Sequence, residues 1–254
     1  MKAVVLTYDA NRALTNHMIA KYDQLWPKHP FVFRIPFQQL DVSESEHHEG
    51  VRTSPDIKGT VLGLLRDIPD DEWIYWCIDD KYPICLNISA IEGIMGWLPS
   101  TSPGDIDGIL LCRCRTFNRP DFVSAGFIAD NQGVRYLERA DYEQIWIHQF
   151  LRVKVLRFLF ESFPDEISSA KLMDEMKRRI VKPDSHRIYV VENNLAVFGE
   201  STTRGVLTKN CYRSMRRCGL ALPEWYTVCS GKTKIMGKLG LICRIRAWYE
   251  RISG

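Results

Sequence analysis

The hydrophobic and polar positions alternate between a strand period and a helix period from the first residues onward. Residues 2–7 (KAVVLT) form a short β-branched run, followed by the polar stretch Tyr8-Asp9-Ala10-Asn11. Apolar positions then recur at helical spacing, at Leu14, Met18, Tyr22 and Leu25, until Pro27, and residues 31–35 (FVFRI) return to a strand pattern. A strand, a helix and a second strand in succession predict a β-α-β unit, and hence a parallel sheet joined by a right-handed crossover. The polar loop after the first strand then falls at the carboxyl edge of the sheet. There Thr7, Tyr8, Asp9 and Asn11 line one crevice and offer an aromatic face and polar groups to a nucleoside.

The next apolar run is the longest. Trp73, Ile74, Tyr75, Trp76, Cys77 and Ile78 stop at two adjacent carboxylates, Asp79 and Asp80, and the turn-prone Lys81-Tyr82-Pro83 closes the segment. Continuous hydrophobicity suits a central strand covered on both faces, and ligands in open α/β sheets bind beyond the carboxyl ends of such strands. Mg²⁺ and Mn²⁺ take hard oxygen ligands, typically one or two carboxylates together with a substrate's phosphate oxygens, so the acidic pair predicts a metal-diphosphate site. Asp-Asp after a strand also suits a plain turn or a helix N-cap. A helix over 56–68 leads into this strand, with Ser54 as its expected cap and Pro55 at its first position. Residues 38–55 are polar and gather Glu44, Glu46, His47, His48 and Glu49. Adjacent histidines share no helix face and no spaced third ligand accompanies them, so a mobile surface loop is expected.

Further along, the pattern predicts a short helix over 88–98 and a buried strand over 106–114, accompanied by Arg113, Arg115 and Arg119. Loops and short strands around Gly126 and Gly133 follow. Residues 142–163 carry the longest helical spacing, through Ile145, Trp146, Phe150, Val153, Leu156, Phe160 and Phe163, and Pro164 ends it. Residues 168–179 predict a second helix bearing Asp174 and Glu175 among bases. Short strands over 187–192 and 195–198 precede a small-residue turn, GESTTRG, that carries Arg204. An arginine on such a turn can clamp a phosphate oxygen bidentately, although exposure at the surface is the ordinary state of the residue. From Gly231 the chain turns basic (Lys232, Lys234, Lys238, Arg244, Arg246, Arg251) while Ile235, Leu239, Ile242, Ile245, Tyr249 and Ile252 keep helical spacing. The expected division is a main unit over 1–230 and a basic amphipathic helix over 231–254.

Composition narrows the classes. With 254 residues, 45% hydrophobic and 26% charged, the chain is globular, and one large α/β domain accommodates it. A net charge of +3 is too small to imply nucleic acid. No apolar stretch has the length of a membrane span and the start lacks a signal-peptide pattern, so a cytoplasmic location is expected. Eight cysteines include no CxxC pair, which signals neither zinc nor a disulfide framework and predicts reduced core thiols. Neither GxGxxG nor GxxxxGK[ST] occurs, against a dinucleotide or P-loop site.

Taken in order, an N-terminal strand and polar loop, a hydrophobic strand ending in Ile78-Asp79-Asp80, a tryptophan-bearing helical segment and an acid-containing segment resemble the GT-A glycosyltransferases of bacterial polysaccharide and lipopolysaccharide assembly. Ile78-Asp79-Asp80 stands where that family has its DxD motif and departs from it, with isoleucine in the place of the first acid. The resemblance implies an α/β, Rossmann-like fold with a mostly parallel central sheet and flanking helices, and transfer of a sugar from a nucleoside-diphosphate sugar to a glycan or lipid-linked hydroxyl. It implies that Asp79 and Asp80 hold Mn²⁺ or Mg²⁺ and the diphosphate, with Thr7, Tyr8 and Asn11 near the base. The acid after the tryptophan segment, serving as general base, matches Asp174 or Glu175 most closely, with Asp165 and Glu166 as alternatives. Pairing of these acids with Lys171 and Arg178 on a solvated helix face is the structural reading of the same residues. The basic tail suits peripheral contact with the cytoplasmic membrane face, or simple packing on the core. A nucleotidyltransferase acting on sugar phosphates, or a non-catalytic sugar-nucleotide-binding protein, would share the fold.

Overall fold

A computed structural model describes residues 1–113, 123–203, 205–222, 224, 226–229, 235, 236, 243, 245, 246, 248 and 249. The chain opens with β1 (Lys2–Leu6), α1 (Arg12–Leu25), β2 (Val32–Phe37), β3 (His48–Arg52), α2 (Ile57–Leu65), β4 (Trp73–Ile78), β5 (Lys81–Leu86) and α3 (Ile88–Trp97). It continues through β6 (Gly108–Leu110), β7 (Val123–Ala129), β8 (Arg135–Arg139), β9 (Gln149–Arg152), α4 (Val153–Glu161), α5 (Ala170–Met176) and β10 (Ile188–Val191). The last elements are β11 (Ala196–Glu200), β12 (Thr202–Thr203), β13 (Val206–Thr208), α6 (Lys209–Arg217), β14 (Val228–Cys229) and β15 (Ile235–Met236).

Nine strands form one sheet in the order β3-β2-β1-β4-β9-β6-β10-β8-β7. β1, β2, β3 and β4 are mutually parallel and β6 is parallel to β10, while β9 and β8 run against their neighbours. The expected mostly parallel α/β sheet is present. β4 is an interior strand, fourth of the nine, with every residue buried, and its side chains alternate between two cores. Trp73, Tyr75 and Cys77 join α1 and α3 on one face; Ile74, Trp76 and Ile78 join α2, α4 and α5 on the other. Burying large apolar side chains of this kind stabilises by about 1.5–3 kcal/mol each, so β4 anchors both layers. β5 leaves the main sheet at the acidic turn and pairs with β11, which pairs in turn with β15, and this small sheet is covered by α1 and α6 through Leu14, Ile84, Cys211 and Met215.

Several expectations are corrected. The helix expected over 142–163 is confined to α4, because residues 149–152 form β9, inserted antiparallel between β4 and β6 and hydrogen-bonded to both. A strand buried on both faces shows no alternation, so its apolar positions mimic helical spacing until a partner strand claims its backbone. The loop expected over 38–55 contains β3, an edge strand paired only with β2 and therefore tolerant of polar residues. Lys81-Tyr82-Pro83 is the start of β5 rather than a turn. The α2 N-cap is Asp56, whose carboxylate accepts the Gly59 N–H at 2.7 Å, while Ser54 donates to Asp56. The tail expected to be helical begins with β15 on β11, and Met236 is buried in the core. Cys243, Ile245, Arg246, Trp248 and Tyr249 are helical, and the remaining basic positions of the tail lie outside the described residues, as does Arg204. Cys85 and Cys243 form a disulfide across 158 residues, against the expectation of thiols throughout. Among the described residues no helix is long and apolar enough to cross a membrane.

Candidate active site

Register places the first acid. Leu6 of β1 lies opposite Ile78 of β4, so the next residues, Thr7 and Asp79, emerge side by side at the carboxyl edge. The Asp79 N–H continues the ladder to the Leu6 carbonyl at 3.2 Å. Thr7 Oγ1 then donates to Asp79 Oδ2 at 2.7 Å, and Thr15, one turn into α1, donates to Thr7 Oγ1 at 2.8 Å. From the 3₁₀ turn Asp9–Asn11, Asn11 Nδ2 donates to the same Asp79 oxygen at 2.9 Å. The β1–α1 loop and the end of β4 thus converge on one buried carboxylate, bringing together Thr7, Asn11 and Asp79. Burial, reinforced by the neighbouring charge of Asp80, pushes the Asp79 carboxyl up to about 7 against the pull of these hydrogen bonds.

Asp80 turns the chain into β5. Its carbonyl accepts the Ser201 N–H at 2.7 Å, and its Oδ1 pairs with the Lys81 ammonium at 2.7 Å, which lies 3.8 Å from Glu200. Tyr8 presents an exposed ring beside the pair, and burial of its base together with the Asp79 charge raises its phenol pKa. Asp9 faces away. Against the upward push of burial, the N–H groups of Gln39, Leu40 and Gln38 hold its carboxyl below the ordinary range, so it fastens the loop after β2 to the loop after β1. A cleft of about 230 Å³ opens beside this loop, lined by Asp9, Arg12, Ala13, Leu40 and Leu220.

Behind Asp79 a buried imidazole locks β9 to β4. The Ile78 carbonyl can only accept, so His148 Nε2 donates to it at 3.0 Å, and Nδ1 takes the Tyr22 hydroxyl at 2.7 Å. Complete burial keeps the ring neutral, with a pKa lowered to about 4. The segment entering β9 carries Glu143, whose carboxylate meets Lys177 at 3.8 Å and Arg178 at 3.2 Å. Lys177 also pairs with Asp174, so α5 is docked on the segment that flanks the end of β4. Glu175 is exposed on the same helix, Asp165 pairs with Lys58 on α2, and Glu166 is exposed. Among the described residues no hydrogen bond or ion pair joins Asp174 or Glu175 to Thr7, Asn11 or Asp79. Sequence reading did not pick out Thr15, His148, Glu143 or Tyr226; only Thr15 left a signal, standing four residues after Asn11 on the inner face of α1.

No family model and no curated protein sequence matches the chain. Solved structures give distant likenesses. Staphylococcus aureus TarS 1–349 has a TM-score of 0.41 at 15% identity, covering 77% of this chain and 58% of that one, so the chain spans less than two thirds of that structure. The galactosyltransferase LgtC, crystallised with donor and acceptor sugar analogues, gives 0.41 at 11% identity over 91% of this chain and 88% of that one. The Francisella tularensis cytidylyltransferase IspD gives 0.40 at 12% identity over 86% and 98%. By its own strand order and side chains, the molecule is an α/β protein with an acidic site at the carboxyl end of its central parallel strands.

Proposed function

We propose that the protein is a glycosyltransferase that moves a sugar from a nucleoside-diphosphate sugar to a hydroxyl of a glycan or lipid-linked acceptor. One observation carries the reading: a buried carboxylate, Asp79, ends the central strand and is oriented by Thr7 and Asn11, with no cation bonded to it among the described residues. The donor set fits Mn²⁺ or Mg²⁺. Both hydrogen bonds to Asp79 fall on Oδ2 and the lysine contact to Asp80 falls on Oδ1, so one oxygen of each acid has no donor among the described residues. Asp79 and Asp80 would hold the cation, which when bound supplies Lewis-acid neutralisation of the departing diphosphate.

The remaining roles belong to the chain itself. Tyr8 stacks on the base while Thr7 and Asn11 fix Asp79, and Arg204 contacts a phosphate oxygen. Asp174 or Glu175 takes the proton of the acceptor hydroxyl; for Asp174 this means exchanging its bond to Lys177 for one to the acceptor. Exposed Ile245, Trp248 and Tyr249 beside Arg246 support peripheral contact of the tail with an anionic membrane surface, which would bring the enzyme to a lipid-linked acceptor.

Calorimetric titration of UDP and GDP, in Mn²⁺ and in EDTA, with wild type and Asp80→Ala, tests the site. Binding that weakens about tenfold or more on chelation, and loses this dependence in Asp80→Ala, is expected. Equal affinity in all four conditions removes the metal site, and hydrolysis of no sugar nucleotide with Mn²⁺ present removes the transferase reading. Co-sedimentation with anionic vesicles at low and high salt, for the full chain and a form ending at Ser230, tests the tail.

A further inference from the structure

Tyr226 lies between α6 and β14, yet its side chain ends at the opposite end of the sequence. Its hydroxyl donates to the Ala10 carbonyl at 3.1 Å and stands 3.4 Å from Asn11 Oδ1, 215 residues away. Asn11 uses the other arm of the same amide, Nδ2, to donate to Asp79 Oδ2. The phenol has one proton, which goes to the nearer Ala10 carbonyl and is shared with Asn11 Oδ1 only as the longer arm of a three-centre bond, while the Asp79 carboxylate, which only accepts, keeps Nδ2 turned towards it. The wrong orientation would point Oδ1 at the Asp79 carboxylate. The Ala10 bond is the main constraint, holding the 3₁₀ turn that presents Asn11. Burial, with the Asp79 and Tyr8 charges, raises the Tyr226 phenol pKa, so the group remains a hydrogen donor at neutral pH.

We infer that Tyr226 is a positioning residue of the nucleoside-diphosphate site, acting on Asp79 through the Ala10–Asn11 turn. This rests on the reading of Asp79 as the diphosphate end of that site. The C-terminal quarter of the chain thereby completes a site whose other members come from β1, α1 and β4. A diphosphate that would reach Asp79 through a divalent cation then depends on a hydroxyl that belongs to none of those elements.

The experiment compares wild type, Tyr226→Phe, Asn11→Ala and the double variant by UDP titration in Mn²⁺ and by urea unfolding. Tyr226→Phe keeps the ring and its packing and is expected to weaken UDP binding about three- to tenfold, the worth of one hydrogen bond, with the unfolding midpoint unchanged. In the Asn11→Ala background the same substitution should add no further loss. Undiminished affinity in Tyr226→Phe, or a full additional loss in the double variant, overturns the relay while leaving the site reading in place. Should wild type bind neither UDP nor GDP, the site reading fails, and the Asn11 side-chain amide protons still decide the relay by nitrogen-15 NMR. Faster exchange and a shifted resonance in Tyr226→Phe support it; an unchanged Asn11 signal overturns it.

Discussion

Asp79 and Asp174 belong to two acidic regions joined by the segment that enters β9, and the chain holds them in opposite ways. Asp79 is buried and takes its hydrogen bonds from uncharged groups, the Thr7 hydroxyl and the Asn11 amide. Asp174 is half exposed and pairs with the buried ammonium of Lys177, while Glu143 faces both Lys177 and the Arg178 guanidinium. Neutral donors orient a carboxylate without cancelling its charge, and burial beside Asp80 therefore lifts Asp79 to about 7. Around Glu143 the charges are matched within the chain, and what they accomplish is the docking of α5. Around Asp79 the described residues bond no cation to the carboxylate, and the nearest ion pair is that of Lys81 with Asp80.

The sharpest way to break this contrast is to ask whether α5 also does chemistry. Asp174→Asn and Glu175→Gln are expected to include one variant whose transfer rate falls about 10²–10⁴-fold with donor binding intact, the usual worth of a positioned base. Full turnover in both, and in Asp165→Asn and Glu166→Gln, would leave the α5 acids with a purely structural role. Next in size is Lys177→Met. Removing a buried ammonium leaves Glu143 buried with only an exposed guanidinium opposite it, and the expected cost is about 2–4 kcal/mol in urea unfolding. A loss under about 0.5 kcal/mol would mean that the cluster behaves as solvent-screened surface pairs.

The two regions meet at His148, and pH reads that joint. Its folded pKa of about 4 lies below the ordinary value of 6.5, so the unfolded chain binds the extra proton between those limits. The contribution is fully present above pH 6.5 and is lost as pH falls towards 4, with a slope of at most about 1.4 kcal/mol per pH unit. His17, lowered to about 3 by burial, adds a second slope of the same sign. Asp79, raised to about 7, contributes a slope of opposite sign below pH 7, so the reading is comparative: from pH 6 to 5 the urea midpoint of His148→Gln should fall less steeply than that of wild type, and identical slopes would show that the ring protonates without leaving Ile78. Smallest is Thr7→Val, which deprives Asp79 of one donor and the Thr15 hydroxyl of its acceptor. It should cost about 1–2 kcal/mol in the same assay, and no change would mean that water replaces the hydroxyl.

Much of the β1–α1–β2 unit was legible because each element there agrees with its own local pattern. β4 was legible for the same reason, its unbroken apolar run ending at Asp79-Asp80. The convergence of Thr7, Asn11 and Asp79 follows from parallel pairing of β1 with β4; the β-α-β pattern implied only that the loop after β1 lies at the carboxyl edge of the sheet. β9 was not legible, since four residues buried on both faces carry no period of their own. β3 was hidden by its polar edge position, and the Cys85–Cys243 disulfide by a separation of 158 residues.

By itself the sequence determined the periods of its elements, the acidic end of the central strand and the polar loop beside it. Those are local properties, set by side-chain alternation, β-branching and turn chemistry within a few residues. Only the tertiary structure decided which polar groups meet: Lys177 between Asp174 and Glu143, His148 beneath Ile78, and Tyr226 on the turn that presents Asn11. The reason is physical. Hydrogen bonds and ion pairs reach about 3 to 4 Å through space whatever the distance along the chain, and packing of two cores on β4 brings those groups within that reach.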